Sequence, residues 1–176
     1  MKITPTKLPG VMIVEVDAIV DERGLFARTF CADTFRKNGL IDQFPQCNVS
    51  WNPHQGTLRG MHFQAEPYPE VKLVRCTRGR ILDVAIDLRV ESPTYLQWIS
   101  VELDADRRNA LYIPAGCAHG FQTLVEDCEV FYHMGESYKA DFARGVRWND
   151  PVFAIDWPLP PQRLSERDAT YPDYKR

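Results

Sequence analysis

The sequence predicts an all-β fold, a sandwich or a barrel with a few short helices. Short apolar or alternating runs recur along the chain between Gly, Pro, Asn and Asp residues, which is typical of many short strands joined by turns. Only one early segment has clear helix boundaries. At 176 residues the chain is long enough to bury a hydrophobic core. We therefore predict a single domain over residues 1–176.

Seven segments are predicted to form strands, in chain order residues 11–16, 57–63, 71–77, 80–88, 96–103, 110–113 and 128–134. A helix is predicted over residues 32–38, because Asp33 near its start and Gly39 at its end are typical helix boundaries. The region from Pro151 onward is rich in proline. We predict irregular structure there, with one short helix at residues 165–169.

The predicted strand 80–88 has two different faces, because side chains alternate along a strand. One face carries the large apolar residues Leu82, Val84, Ile86 and Leu88. The other face is small and acidic and carries Asp83, Ala85 and Asp87. Such a face is typical of a barrel lumen or a cleft.

The composition argues against several classes of protein. The 21 basic and 24 acidic residues give a net charge of −3, whereas a nucleic-acid-binding domain typically shows a basic excess. No apolar run approaches the length of a membrane span, and no signal peptide is visible. The five cysteines are scattered without a Cys-x-x-Cys pair, which is typical of reduced thiols. We expect a cytoplasmic protein without nucleic-acid or membrane partners.

The stretch 56–64, Gly-Thr-Leu-Arg-Gly-Met-His-Phe-Gln, is the first indication of chemistry. Arg59 stays cationic and can bind phosphate through two hydrogen bonds, and His62 can exchange a proton near neutral pH. The pair indicates chemistry on a phosphorylated or nucleotide-linked small molecule. In a regular strand, however, Arg59 shares a face with Met61 and not with His62, so the spacing alone does not bring the pair together.

Lys72 is a second candidate, because apolar Val71, Leu73 and Val74 surround it in the sequence. A buried charge is costly unless it reaches a partner or a cleft. The alternative is a lysine on an edge strand that faces water.

Three further candidates each have a plainer interpretation. His119 follows a turn that enters a strand, where a histidine often serves only as a structural hydrogen-bonding group. Tyr132 and Tyr138 lie on either side of Gly135, which is expected to interrupt the strand between them. Core aromatic packing is the alternative for each tyrosine.

Ordered sequence blocks carry a resemblance to a known family, and they lie at residues 21–24, 56–64, 72–75, 83–87, 113–122, 144–151 and 165–168. In this order the blocks resemble the dTDP-4-dehydrorhamnose 3,5-epimerase family over nearly the whole chain. The resemblance implies a cupin-type jelly roll that works without a metal or other cofactor. It also implies a homodimer, since members of the family are commonly dimers with exchanged N-terminal strands.

The resemblance implies proton transfer on a nucleotide-diphosphate 4-keto-6-deoxy sugar. The ketone at C4 acidifies the protons at C3 and C5, so a base can remove one to give an enolate. His62 matches the family's base, and Asp168 matches the carboxylate that orients the imidazole. Lys72 matches the cation near the enolate oxygen. Tyr132 matches the acid that returns a proton from the opposite face.

The resemblance also implies a set of substrate-binding residues. Arg23 and Arg59 match positions that contact the diphosphate and the sugar, and Phe26 matches a position that supports the base. The other expected substrate contacts are Arg28, Gln46, Asn48, His119, Tyr138 and Arg167.

Four positions depart from the family pattern. Arg28 and Ala143 stand where typical dTDP-type members carry glutamates, Cys47 replaces an aspartate, and Ser137 stands where tyrosine is common. The proton-transfer set is intact, whereas the nucleotide-binding set is altered. The sequence therefore leaves the nucleotide open among dTDP, CDP and GDP, and it leaves open whether C3, C5 or both are inverted.

Two other functions remain as alternatives. A metal-dependent cupin oxygenase or isomerase would typically carry a His-x-His pair, but Gly60 and Gln64 stand at those positions around His62. A site made of His62, His119 and a carboxylate would leave Lys72 without a role, so no metal is expected. A non-catalytic sugar-nucleotide-binding barrel would not need an acid opposite a base.

Overall fold

Strands dominate the structure, which is a computed structural model that describes residues 1–175. The strands are β1 (Lys2–Pro5), β2 (Met12–Glu15), β3 (Ala18–Asp21), β4 (Gly24–Ala27), β5 (Gln46–Asn52), β6 (Leu58–Gln64), β7 (Lys72–Arg78), β8 (Arg80–Asp87), β9 (Trp98–Asp104), β10 (Ala110–Ile113), β11 (Cys117–Thr123), β12 (Cys128–Met134) and β13 (Ala143–Gly145). The helices are α1 (Ala32–Lys37) and α2 (Glu166–Ala169), and a 3₁₀ turn spans Ala140–Phe142.

The strands form two large antiparallel sheets and one hairpin. The six-stranded sheet has the order β1-β2-β10-β7-β12-β5, and the five-stranded sheet has the order β13-β6-β11-β8-β9. In the described part of the chain, strands β3 and β4 pair only with each other. The two large sheets face each other as a jelly-roll β-sandwich, which confirms the predicted all-β fold.

The hydrophobic core fills one end of the space between the sheets. Val74 of β7, Ala85 of β8, Phe121 of β11 and Val130 of β12 are at most 1% exposed and pack in one cluster. Because side chains alternate along a strand, Lys72 also points inward, two residues before Val74. Inward-facing positions therefore change from apolar to polar along β7, and this change separates the core from a cavity.

The outer face of the five-stranded sheet is covered by the C-terminal segment. Val84 and Ile86 of β8 pack there against Phe153 and Ile155. The predicted division of this strand is confirmed, since its large apolar face is buried under the C-terminal segment. This packing also fixes the path of the chain toward α2.

All seven predicted strands are present with shifts of no more than two residues at their ends, and both predicted helices are present. Gly39 follows Asn38, the C-cap residue of α1, and has a φ of +71°, a conformation that glycine adopts readily. Six strands were not in the predicted set, namely β1, β3, β4, β5, β11 and β13. No helix of the described chain is long and apolar enough to cross a membrane.

Candidate active site

A cavity of about 320 Å³ opens between the two sheets at the polar end of the sandwich. Most of the candidate residues that sequence reasoning selected lie around it. Its lining includes Asn48, Arg59, His62, Lys72, His119, Tyr132, Tyr138 and Arg167. It also includes Phe63, Gln64, Glu70, Phe121, Met134, Ala143 and Arg144, among others.

A β-bulge brings Arg59 and His62 to the same cavity. His119 of β11 pairs with His62, whereas Phe121 pairs with Arg59, so three steps along β6 oppose two steps along β11. The additional residue reverses the side-chain alternation between Arg59 and His62. The expectation that the two side chains lie on different faces is therefore wrong.

Gly60 is required at this bulge because the two strands approach closely. Its φ is +132°, and a Cβ placed on it would lie 2.5 Å from the Cα of Gly120. Any larger residue would push β6 away from β11. The glycine in the predicted motif thus has a structural function, which is to let the bulge form.

His62 and Asp168 form a hydrogen-bonded pair at the cavity edge. His62 Nε2 lies 2.7 Å from Asp168 Oδ1, and the Gly60 N–H donates to Asp168 Oδ2 at 3.2 Å. Burial alone would raise the pKa of the Asp168 carboxyl, but the hydrogen bonds from His62 and Gly60 hold it below its ordinary value. The carboxylate therefore stays ionised and fixes the orientation of the imidazole.

Helix α2 supplies Asp168 to this pair. The Ser165 hydroxyl caps the helix by accepting the Asp168 N–H at 3.1 Å. The Leu58 N–H donates to the Arg163 carbonyl at 2.9 Å, which attaches the preceding segment to β6. The cap and this attachment hold α2 next to the strand that carries His62.

Lys72 is buried and paired, not exposed on an edge strand. Its strand β7 lies between β10 and β12, and its Nζ lies 2.7 Å from Glu70 Oε1, with the two side chains 6% and 7% exposed. Nζ also donates to the His62 carbonyl at 3.1 Å. Because an ammonium group has three N–H donors, one remains for a ligand in the cavity.

Tyr132 and His119 approach the cavity from opposite sheets, on β12 and β11. Their ring centroids are 6.1 Å apart at an interplanar angle of 79°. His119 Nε2 lies 2.7 Å from Oδ1 of Asp83, which is fully buried behind it. Burial, with a smaller contribution from the Asp83 charge, raises the pKa of the Tyr132 phenol. The phenol therefore stays protonated over the range in which enzymes work.

Gln46 organises the cavity rim although it does not line the cavity. Its side chain donates to Asn48 Oδ1 and accepts the Tyr138 N–H, both at 3.1 Å. Tyr138 is 57% exposed at the mouth of the cavity. The tyrosine ring is thus available to stack on a flat ligand group.

A second groove, of about 440 Å³, continues from the cavity along the C-terminal segment. Its cations are Arg59, Arg163 and Arg167. Within residues 1–175, none of these three guanidinium groups forms a salt bridge with a carboxylate. Such unpaired arginines beside a cavity are suited to bind a phosphorylated ligand.

Three predicted substrate contacts lie away from the cavity between the two sheets. Arg23 is on the β3–β4 hairpin and pairs with Asp21 at 2.6 Å, and Phe26 is 71% exposed. Arg28 lines a separate cavity of about 230 Å³ near Met1. Within one chain, the structure does not bring these side chains together with His62.

The departures from the family pattern have different surroundings. Ala143 lines the cavity, so its short side chain leaves space there. Cys47 is exposed and pairs in register with His133, one position away from the cavity residue Asn48. The Ser137 carbonyl accepts a hydrogen bond from the Gln64 amide at 3.4 Å, so Ser137 contributes through its backbone.

Sequence reasoning missed Glu70, Asp83 and Arg144 as site residues. Glu70 stands two positions before Lys72, which is a signal for a buried ion pair. Asp83 was placed on a cleft-facing strand face but was not connected to His119. Arg144 begins a block of the family resemblance, but its place at the site depends on the pairing of β13 with β6 and has no local signal. Within residues 1–175, no group of three or more His, Cys, Asp or Glu side chains is arranged to hold a metal ion.

Comparison with known proteins identifies the family. The family model described as dTDP-4-dehydrorhamnose 3,5-epimerase matches residues 5–176. The chain belongs to the dTDP-4-dehydrorhamnose 3,5-epimerase family. A dTDP-4-dehydrorhamnose 3,5-epimerase from Sinorhizobium fredii is 46% identical over 153 residues, which cover 86% of this chain and 78% of the relative. The predicted enzyme class, a nucleotide-sugar epimerase, is thereby confirmed.

Solved structures support the same membership. A dTDP-4-dehydrorhamnose 3,5-epimerase from Bacillus anthracis, solved with TDP and PPi bound, is 39% identical with a TM-score of 0.95, covering 98% of this chain and 99% of that one. A 3'-monoepimerase from Streptomyces bikiniensis, solved with dTDP-quinovose, is 33% identical with a TM-score of 0.90, covering 97% and 86%. The same fold therefore occurs in a relative named as a 3,5-epimerase and in one named as a 3'-monoepimerase.

Proposed function

We propose that this chain inverts C3, C5 or both carbons of a nucleotide-diphosphate 4-keto-6-deoxy sugar, with His62 as the base and Tyr132 as the acid. One observation carries the proposal: the two groups reach one cavity from facing sheets, since His62 is on β6 and Tyr132 is on β12. A sugar ring between the sheets would therefore meet the base on one face and the acid on the other. Inversion requires this placement, because the proton must return from the side opposite to its removal.

The first step is proton removal by His62. The C4 ketone stabilises the carbanion at a neighbouring carbon as an enolate, so a base of moderate strength suffices. Asp168 lies 2.7 Å from Nε2, which leaves Nδ1 to accept the proton from carbon. The ionised carboxylate then stabilises the imidazolium that forms.

Lys72 is proposed to stabilise the enolate oxygen. Glu70 and the His62 carbonyl occupy two of its N–H donors, and the third is free for the C4 oxygen. A donor fixed in advance costs no reorganisation when negative charge develops on that oxygen. The Glu70 pair keeps the ammonium in place without a bound substrate.

Arg59 and Arg167 are proposed to bind the diphosphate, and Tyr138 to stack on the base of the nucleotide. The two guanidinium groups line both the cavity and the adjoining groove, and Tyr138 lies at the cavity mouth. Solved relatives that carry TDP or dTDP-quinovose support a nucleotide-linked ligand of this class. Arg28 and Ala143 keep CDP and GDP as candidate nucleotides beside dTDP.

We further propose that the chain, one domain over residues 1–176, works as a cytoplasmic homodimer. Within residues 1–175 the β3–β4 hairpin pairs with no other strand, and Ile19, Val20 and Phe26 are 69–73% exposed. A second copy would cover this apolar surface. It would also bring Arg23 and Phe26 close to the partner's cavity between the two sheets, whereas they do not line that cavity within their own chain.

The test is incubation of the protein with 4-keto-6-deoxy sugars on dTDP, CDP and GDP in deuterated water. NMR then follows deuterium and configuration at C3 and C5 for each substrate. We expect deuterium at each carbon that is inverted, on one nucleotide more than on the others. The proposal is wrong if no substrate gains deuterium at either carbon.

A further inference from the structure

A second carboxylate–imidazole pair stands beside the first. His119 and His62 are register partners on β11 and β6, and each imidazole is held by a different carboxylate. Asp83 Oδ1 lies 2.7 Å from His119 Nε2, and the two side chains are 0% and 5% exposed. The proposed reaction uses Asp168 but gives Asp83 no role.

Burying the Asp83 carboxylate costs folding free energy, which a purely structural role does not explain. It is fully buried, and its Oδ2 has no hydrogen-bond partner within the described chain. Burial raises the pKa of its carboxyl, an effect that the charges of His119 and Lys72 oppose. Well-packed apolar residues are commonly as stable as a buried ionic pair, so stability alone does not explain this carboxyl.

We propose that Asp83 is a positioning residue for proton return: it holds the His119 ring against Tyr132 and so fixes the phenol on the side of the cavity opposite the base. The inference rests on the proposed function. The contacts form a chain from the Asp83 carboxylate to His119 at 2.7 Å and from the His119 ring to the Tyr132 ring at 6.1 Å. A carboxylate on Nε2 restricts the imidazole to one orientation.

The negative charge of Asp83 also favours the protonated form of Tyr132. Burial and then the Asp83 charge raise the pKa of the Tyr132 phenol, while Arg59 opposes them. The phenol therefore retains the proton that it must deliver to carbon. The pair of His62 and Asp168 is held separately, by the Gly60 N–H that donates to the Asp168 carboxylate and by the Ser165 cap of α2.

Two substitutions separate the hydrogen bond from the charge. Asp83→Asn keeps an oxygen that can accept from His119 Nε2 but removes the charge, and Asp83→Ala removes both. We expect inversion to slow by roughly tenfold in the first and roughly a hundredfold in the second, since a positioning residue removes at most part of the roughly 10²–10⁴-fold that a general acid contributes. Deuterium exchange through His62 should change by less than about threefold.

Asp87→Asn is the matched control. Asp87 lies on the same strand and the same face as Asp83 and is also fully buried. Although burial acts to raise it, hydrogen bonds from Arg89, Ser92 and Thr94 lower the pKa of its carboxyl to about 2. Those partners belong to a surface loop, so Asp87→Asn should lower stability and leave the ratio of exchange to inversion unchanged.

The experiment measures exchange and inversion by NMR in deuterated water, on the substrate that the wild-type enzyme accepts, with urea unfolding of each variant. In a His119→Ala background, Asp83→Ala should change the ratio by less than about twofold, because residues that act through one another are non-additive. If both Asp83 variants keep the wild-type ratio, or if the Asp87 control shifts it equally, the inference is wrong while the proposed function stands. If the wild-type enzyme inverts no centre, the proposed function fails and the inference fails with it.

Discussion

Replacing Lys72 with methionine tests the cation of the site and its buried partner separately. Methionine has a similar length and no charge, so it fills the same space on β7. The substitution removes the N–H donor proposed for the enolate oxygen. It also leaves Glu70, which is 7% exposed on its side chain, without its cation at 2.7 Å.

The two losses have different magnitudes. Breaking a buried ion pair costs about 3–5 kcal/mol of the free energy of unfolding, because one charge stays buried and unpaired. Losing one donor to a developing oxyanion lowers turnover by about 10²–10³-fold. In the double variant Lys72→Met with Glu70→Gln, no uncompensated charge remains. It should therefore recover most of the stability and none of the turnover.

Urea unfolding gives the stability of the single and double variants, and NMR at saturating substrate gives their turnover. Glu70→Gln alone is the comparison, because it keeps the amino group of Lys72 but removes the carboxylate that pairs with it. If Lys72→Met retains turnover within about threefold and loses only affinity, Lys72 is a binding residue and the enolate role is refuted. If the double variant recovers turnover, the rate loss came from misfolding of the site.

Four further outcomes are expected. His62→Asn should abolish deuterium exchange while substrate still binds, and Asp168→Asn should slow exchange strongly but less completely; undiminished exchange in His62→Asn would exclude it as the base. Tyr132→Phe should exchange deuterium with retained configuration, whereas Tyr138→Phe should mainly raise KM; the reverse pattern means that the acid is another residue. Activity should survive exhaustive EDTA treatment, and a loss that a divalent ion restores would indicate a metal enzyme. Because the pKa of Asp87 is about 2 against an ordinary 3.8, its stabilisation of about 2 kcal/mol is complete above pH ~4 and disappears as the pH falls toward ~2; Asp87→Asn should remove that part of the acid unfolding measured by circular dichroism.

Local pattern predicted the strands whose apolar runs are bounded by turn residues. Strands β10 and β12 begin and end at the predicted residues, because turn residues on either side bound their apolar runs clearly. Strand β5 was missed because its residues Gln-Cys-Asn-Val-Ser-Trp-Asn are largely polar. It lies at the sheet edge, where most of its side chains are exposed, so no core pattern marks it.

The site was predictable as a set of residues but not as a geometry. The resemblance named His62 and Asp168, but their separation of 106 residues in sequence carries no local signal for a 2.7 Å contact. The bulge that joins Arg59 to His62 is a property of β6 paired with β11, so a single strand cannot reveal it. The partner of Lys72 likewise became evident only when Glu70 was seen to be buried beside it.

Helix α2 follows all the strands in the chain, so it is the last of these elements to be synthesised. Both sheets are complete at Gly145, whereas Asp168, the carboxylate that holds His62, comes 23 residues later, on a four-residue helix outside either sheet. During synthesis the sandwich can therefore fold before Asp168 reaches His62, and this hydrogen-bonded pair forms only when α2 docks on β6. The same separation makes the segment around α2 a sensitive point, since a protease that cuts there would remove the carboxylate from His62 and leave the strands of both sheets uncut.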